Sequence, residues 1–95
     1  MARFVVLFHF TEQGASNIKK SPARARAFAA SCRKVGVNVE TFLWTLGSYD
    51  GVLILSAKDQ ADALGALANV VALGNVRTET LQAFDDKEFS AIVGG

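Results

Sequence analysis

Four short stretches of this chain combine β-branched, aromatic and leucine residues in patterns typical of strands. They are residues 3–10, 37–46, 52–57 and 75–84. In two intervening stretches, apolar residues recur at spacings of three and four, which predicts amphipathic helices. The first helix should place Ala25, Phe28, Ala29 and Cys32 on one face, and the second Leu64, Leu67, Ala68 and Val71.

Local start and stop signals bound these helices. Ser21 followed by Pro22 predicts the start of the first helix, with serine as the N-cap, and Gly36 predicts its left-handed end. Asp59 should cap the second helix, which Gly74 ends. Asp85 and Glu88 form a capping pair that predicts a short C-terminal helix over residues 85–93.

The glycine-bounded segment 47–51 lies between the second and third predicted strands. Glycine adopts positive φ at no steric cost, and Ser48 and Asp50 are turn formers, so an antiparallel hairpin is expected. The resulting order is β-α-β-β-α-β over one domain, residues 1–95. This is an α+β, ferredoxin-like plan: a four-stranded antiparallel sheet, two helices on one face, and the first and third strands central.

Such a plan leaves one face of the sheet without a helix. Both alternating sets of the first strand are apolar, so we expect the sheets of two copies to pair in a homodimer. The expected facing puts Phe4, Val6, Phe8 and Phe10 toward the partner, with Phe42 and Trp44 on the same open side. Val5, Leu7 and His9 should then face the helices.

Composition excludes several classes of protein. A net charge of +1 does not favour nucleic acid or an anionic membrane as partner, and one cysteine excludes a disulfide framework or a cysteine-based zinc site. Residues 4–10 are too short to span a membrane, and no cleavage site follows them. We therefore expect a cytoplasmic protein without metal or cofactor.

Polar residues near the hairpin form the candidate ligand site. A phenol, a carboxylate, a guanidinium and hydroxyls together could bind an anionic or polar group; the candidates are Tyr49, Asp50, Arg77, Thr78, Thr80, Lys19 and His9. The alternative is an internal network, in which Asp50 pairs with Arg77 or Lys19 to fix the hairpin. His9 stays open between a packing role and that of a base.

Four blocks of the sequence, residues 11–14, 18–22, 44–50 and 73–84, together resemble the GYD-domain family, whose Gly-Tyr-Asp motif corresponds to Gly47, Tyr49 and Asp50. The resemblance covers nearly the whole chain. It implies a dimeric α/β-barrel type of protein without a settled activity. The positions that match the family blocks are Thr11, Gly14, Lys19, Gly47, Tyr49, Asp50, Asn75, Arg77, Thr78 and Thr80.

Two classes of function stay open. One is a homo-oligomeric protein that binds a small, mostly apolar molecule, with or without catalysis. The other is a non-catalytic regulatory or assembly module that acts through its oligomeric surface. A metabolite retained on purification would favour the first, and a stable trimer or larger ring without a pocket would favour the second.

Overall fold

The fold is described from a computed structural model, which covers residues 1–94. The strands are β1 (Ala2–Phe10), β2 (Asn38–Trp44), β3 (Gly51–Ala57) and β4 (Val76–Ala83). The helices are α1 (Glu12–Ser16), α2 (Ser21–Lys34), α3 (Gln60–Ala72) and α4 (Asp86–Ile92), and a 3-10 turn, Ile18–Lys20, precedes α2. The predicted β-α-β-β-α-β order is confirmed. Helix α4 corresponds to the predicted short C-terminal helix, whereas α1 was not predicted.

The strands form one antiparallel sheet in the order β2-β3-β1-β4. The central positions of β1 and β3 are confirmed, and the more polar β2 and β4 lie at the edges. Edge strands tolerate polar residues because one side of their backbone is open to solvent. In β1, Val5 lies opposite Ile54 on β3 and Leu81 on β4.

The facing expected for β1 is wrong. Phe4, Val6 and Phe8 are 4%, 0% and 2% exposed, and they belong to one core cluster with Cys32 of α2 and Leu67 of α3. The helices present mainly small side chains to the sheet, so the phenylalanine rings fill a volume that smaller residues would leave empty. Val5, Leu7 and His9 instead point away from the helices.

The aromatic residues of β2 were also placed on the wrong side. The Phe42 ring lies 5.6 Å from the Phe8 ring, within the helix-covered layer. Trp44 Nε1 donates a 3.0 Å hydrogen bond to Ser21 Oγ. Ser21 was predicted to be the N-cap of α2, and this is wrong. Ser21 lies within the first turn of the helix, and its hydroxyl accepts from the Trp44 indole.

The second helix is rotated relative to the prediction. Ala63, Ala66 and Leu67 are buried against the sheet, whereas Leu64 is 68% exposed. The predicted N-cap of this helix is confirmed, because Asp59 accepts from the Asp62 amide. Gly36 and Gly74 both adopt positive φ at the ends of their helices. Spacing of three and four fits two overlapping stripes in an alanine-rich helix, and packing selects one of them.

The side of the sheet opposite the helices is called the open face here. Its centre is formed by four half-buried aliphatic residues, flanked by the exposed Leu43 and Leu81. The four are Val5 and Leu7 of β1 and Val52 and Ile54 of β3. Within residues 1–94 none of the helices is long and apolar enough to cross a membrane.

Two short helices flank β1 and β4. Thr11 caps α1 by accepting from the Gly14 amide, and Gly14 packs so tightly against the Asn75 carbonyl that a side chain has no room. At the other end, α4 opens with the predicted Asp85–Glu88 capping box. Helix α4 makes few contacts with the rest of the domain and leaves Phe89 and Ile92 more than half exposed.

Candidate functional site

Asp50 fastens the β2–β3 hairpin to β1. Its carboxylate Oδ2 accepts a 2.8 Å hydrogen bond from the Phe10 amide, and its own amide donates to the Phe8 carbonyl at 2.9 Å. Regular β1–β3 pairing ends where Phe8 meets Gly51. The Asp50 carboxylate thus adds one hydrogen bond to the β1–β3 pairing, at the point where the backbone of the hairpin leaves β1. The geometry supports a structural role for Asp50, although its partner is backbone and not Arg77 or Lys19.

Tyr49 joins the hairpin to β4 on the open face. Its phenol donates a 3.0 Å hydrogen bond to Glu79 Oε2, and its ring lies 4.8 Å from the His9 ring at an angle of 33°. Arg77 lies opposite His9 in the β1–β4 register. The structure therefore groups three predicted residues at one end of this face and adds Glu79, which was not predicted. Glu79 lies two residues after Arg77 in β4 and therefore on the same face of the sheet, and this spacing could have identified it from the sequence.

The remaining candidates lie elsewhere. Thr78 and Thr80 alternate with Arg77 and Glu79 along β4, so they face the helix layer. Lys19 is exposed in the 3-10 turn before α2, on a different element. The seven candidates accordingly do not form one site.

The hydrogen bond to Glu79 raises the pKa of Tyr49 above its ordinary value, and the carboxylate charge acts in the same direction. Both effects favour the neutral phenol, because ionisation would remove the donor and place two negative charges together. Tyr49 is thus poorly suited to act as a phenolate base near neutral pH. The group of Tyr49, His9, Glu79 and Arg77 is chemically suited to polar recognition.

Replacing Glu79 should lower the pKa of Tyr49. Tyr49 is the sole tyrosine of the chain, so the rise in absorbance at 295 nm with pH reports this residue alone. We expect the native midpoint to lie above that of Glu79→Gln, which loses the charge. Because the pKa of Tyr49 is raised in the folded protein, its bond to Glu79 contributes fully to folding stability below about pH 10. That contribution disappears as the pH rises through the pKa of Tyr49 in the folded state. Identical midpoints would contradict the bond.

A second polar group occupies the opposite end of the open face. The Arg3 guanidinium lies 3.7 Å from a carboxylate oxygen of Glu40, 3.8 Å from one of Asp85 and 3.6 Å from one of Glu88. These groups are more than a third exposed, so each pair contributes little to stability. These contacts show that the first turn of α4 lies beside the open face.

A cleft lies on the other side of the molecule, between α2 and α3. It has a volume of about 380 Å³ and a mostly apolar lining that includes Phe28, Cys32 and Val70. Burial raises the pKa of the Cys32 thiol at its base. The cleft was not predicted from the sequence because it depends on the distance between two helices. No group of three or more His, Cys, Asp or Glu residues within positions 1–94 is arranged to hold a metal.

Comparison with known proteins identifies the relatives of the chain. The GYD domain model matches residues 4–93. A protein from Thermus thermophilus, named glutamine synthetase and cystathionine beta-lyase binding protein, is 34% identical over 84 residues, covering 87% of this chain and 88% of its own length.

A solved structure shares the fold. The crystal structure of TTHA0845 from Thermus thermophilus matches with a TM-score of 0.58 and 24% identity, covering 90% of this chain and 95% of the other. The family model and the 34% identical relative both span nearly the whole sequence. This chain belongs to the GYD-domain family.

Proposed function

We propose that this protein is a homodimeric binding module that recognises other proteins and whose open face is covered by a second copy. The observation that carries the proposal is the apolar centre of the open face. Four adjoining aliphatic side chains lie there, two on each central strand, with Leu43 and Leu81 exposed on either side. Monomers rarely leave a continuous apolar surface of this kind in water.

The total surface supports the same conclusion. One chain exposes 6199 Å², whereas a compact monomer of its mass is expected to expose about 5300 Å². The difference is about 900 Å², close to the roughly 800 Å² that each partner buries in a standard interface. The excess exposed surface of one chain is thus similar in size to the area that one partner buries in a stable interface.

Helix α4 extends this surface. Phe89, Ile92 and Val93 lie on one side of it, at spacings of three and four, and each is 58–60% exposed. An isolated helix of seven residues is not stable in water, so packing against another surface must support it. Arg3 places its first turn beside the open face. A second copy on that face would also cover the apolar side of α4.

The name of the Thermus relative supports the choice of partner class. That protein is named as binding two enzymes, glutamine synthetase and cystathionine beta-lyase. The polar group near the hairpin offers donors and acceptors that a protein partner could contact, from Tyr49 and Glu79 with His9 beside them. We accordingly propose protein partners for this chain, in the cytoplasm, and the two named enzymes are the first to test.

Ile54→Lys should convert the dimer into folded monomers. Ile54 lies at the centre of the open face, opposite Val5 on β1, and an ammonium there would have to be desolvated on association. In the monomer the lysine stem can lie on the sheet with its charge in water. We expect the dissociation constant to rise by at least about tenfold, measured as molar mass by light scattering across protein concentrations.

Leu64→Lys is the matched control, because Leu64 is exposed on the opposite side of the molecule. It should leave the dimer intact. A native protein that is monomeric and well folded at micromolar concentration would refute the dimer. Binding of the native dimer to immobilised glutamine synthetase or cystathionine beta-lyase tests the partner class separately, and absence of binding to both would count against it.

Small-molecule binding is a second candidate function. The observation that favours it is the cleft between α2 and α3, whose volume of about 380 Å³ falls in the range of ligand pockets. It lies on the helix side, away from the proposed dimer interface. The two candidates can therefore be tested by separate variants.

A further inference from the structure

We propose that the cleft between α2 and α3 binds an amphipathic carboxylate, a small molecule with an apolar chain and one anionic head, and that Arg24 binds the head. This proposal gives a ligand class to the second candidate function and does not depend on the dimer. It rests on the shape, the lining and the charges of the cleft.

The shape follows from small side chains on the two helices. Ala27 of α2 and Ala66 of α3 line the cleft, and larger apolar residues, Phe28, Val70 and Leu73, form much of the remaining wall. Alanines do not fill the space between two helices attached to the same sheet, so an apolar trough stays open. An apolar chain would remove this surface from water.

The charge of the lining is of one sign. Arg24 and Lys34 are the charged residues that line the cleft, and none of the lining residues is acidic. Among residues 1–94 the ion pairs all involve Arg3, so no carboxylate neutralises either cation. Two cations beside an apolar trough complement a ligand with an anionic head.

Arg24 is the better head-binding residue of the two. One of its nitrogens donates a 3.3 Å hydrogen bond to the Asn17 carbonyl, which positions the side chain. A guanidinium has five donors, and others can form charge-assisted bonds to a carboxylate. Arg24 and Lys34 are ten residues apart, or about 15 Å along the helix, so they border different parts of the cleft.

A smaller void also begins at Arg24. It has a volume of about 50 Å³, shares Arg24, Phe28 and Val70 with the cleft, and continues beneath α2 toward Phe8 and Leu53. Apolar space thus extends from Arg24 in two directions, along the cleft and into the core. Lys34 borders the main cleft alone. This difference assigns the anionic head to Arg24.

The test is titration of the purified protein with monomeric decanoate and with decanol, followed by calorimetry. We expect decanoate to bind the native protein, and Arg24→Ala to weaken it about tenfold while changing decanol affinity little. Arg26→Ala is the matched control, since it removes the same charge from the same helix outside the cleft. It should leave decanoate affinity unchanged.

Further variants separate this proposal from the others. Ala27→Trp should fill the cleft from an exposed position and abolish binding of both ligands, with folding verified by circular dichroism. Ile54→Lys should still bind decanoate, because it alters the opposite face. No decanoate binding at millimolar concentration, or equal losses in Arg24→Ala and Arg26→Ala, would overturn the assignment without affecting the dimer proposal.

Discussion

Gly51→Ala should destabilise the protein by about 3 kcal/mol, the upper part of the range for overpacked sites. Gly51 is the first residue of β3 and lies between Phe8 of β1 and Trp44 of β2. The Phe8 ring occupies the position that a Cβ would take, and the Leu43 carbonyl oxygen would lie only 2.8 Å from it. The ring is buried in the core and the carbonyl belongs to a paired strand, so neither can move without loss of packing.

Gly65→Ala provides the matched control. Gly65 lies within α3, and nothing approaches the position of an added Cβ within 4 Å. Alanine should stabilise the helix there by about 0.5–1 kcal/mol, since glycine is the poorer helix former. Urea unfolding at one fixed protein concentration measures both changes. A Gly51→Ala protein as stable as the native one would show that the Phe8 ring has space to move.

Asp50→Ala should cost about 2 kcal/mol of unfolding free energy. The change removes a charge-assisted acceptor, which is typically worth about 1.5–3 kcal/mol, and leaves the half-buried Phe10 amide without its partner. Asp50→Asn should cost about half as much, because the amide oxygen still accepts but carries no charge. Urea unfolding of the native protein and both variants provides the measurement.

A different ranking would assign Asp50 a different role. If both variants were as stable as the native protein but no longer bound a partner that the native protein binds, Asp50 would be a recognition residue. The geometry favours the structural role, since Asp50 uses its amide, its carbonyl and its carboxylate to join the hairpin to β1 and to Thr45.

The family motif can be interpreted in the same terms. Gly47 takes a φ of 109° in the hairpin, Tyr49 bonds Glu79 of β4, and Asp50 bonds the backbone of β1. Tyr49 and Asp50 thus attach the connection between β2 and β3 to β4 and β1, the two strands that form the other half of the sheet. We infer that the motif is primarily a structural device, with Tyr49 also available at the surface.

The order of elements follows from the sequence alone, because it depends on local patterns. Gly36, Gly47 and Gly74, the Asp59 cap and the Asp85–Glu88 capping box each act over a few residues and were located correctly, whereas Gly51 begins β3 without a positive φ. The polar residues on β2 and β4 identified these two as the edge strands, because the polarity of a strand can also be read from a few neighbouring residues. The family blocks were likewise readable, since they are contiguous.

Only the tertiary structure decided which face of the sheet each set of alternating side chains occupies. Strand β1 has two apolar sets, and alternation cannot distinguish them; the phenylalanines face the helices because the small residues of α2 and α3 leave volume that only large rings fill. The candidate site divided for a related reason, since alternation along β4 sends Arg77 and Thr78 to opposite faces. The cleft between α2 and α3 depends on the separation of two helices far apart in sequence, which no local pattern encodes.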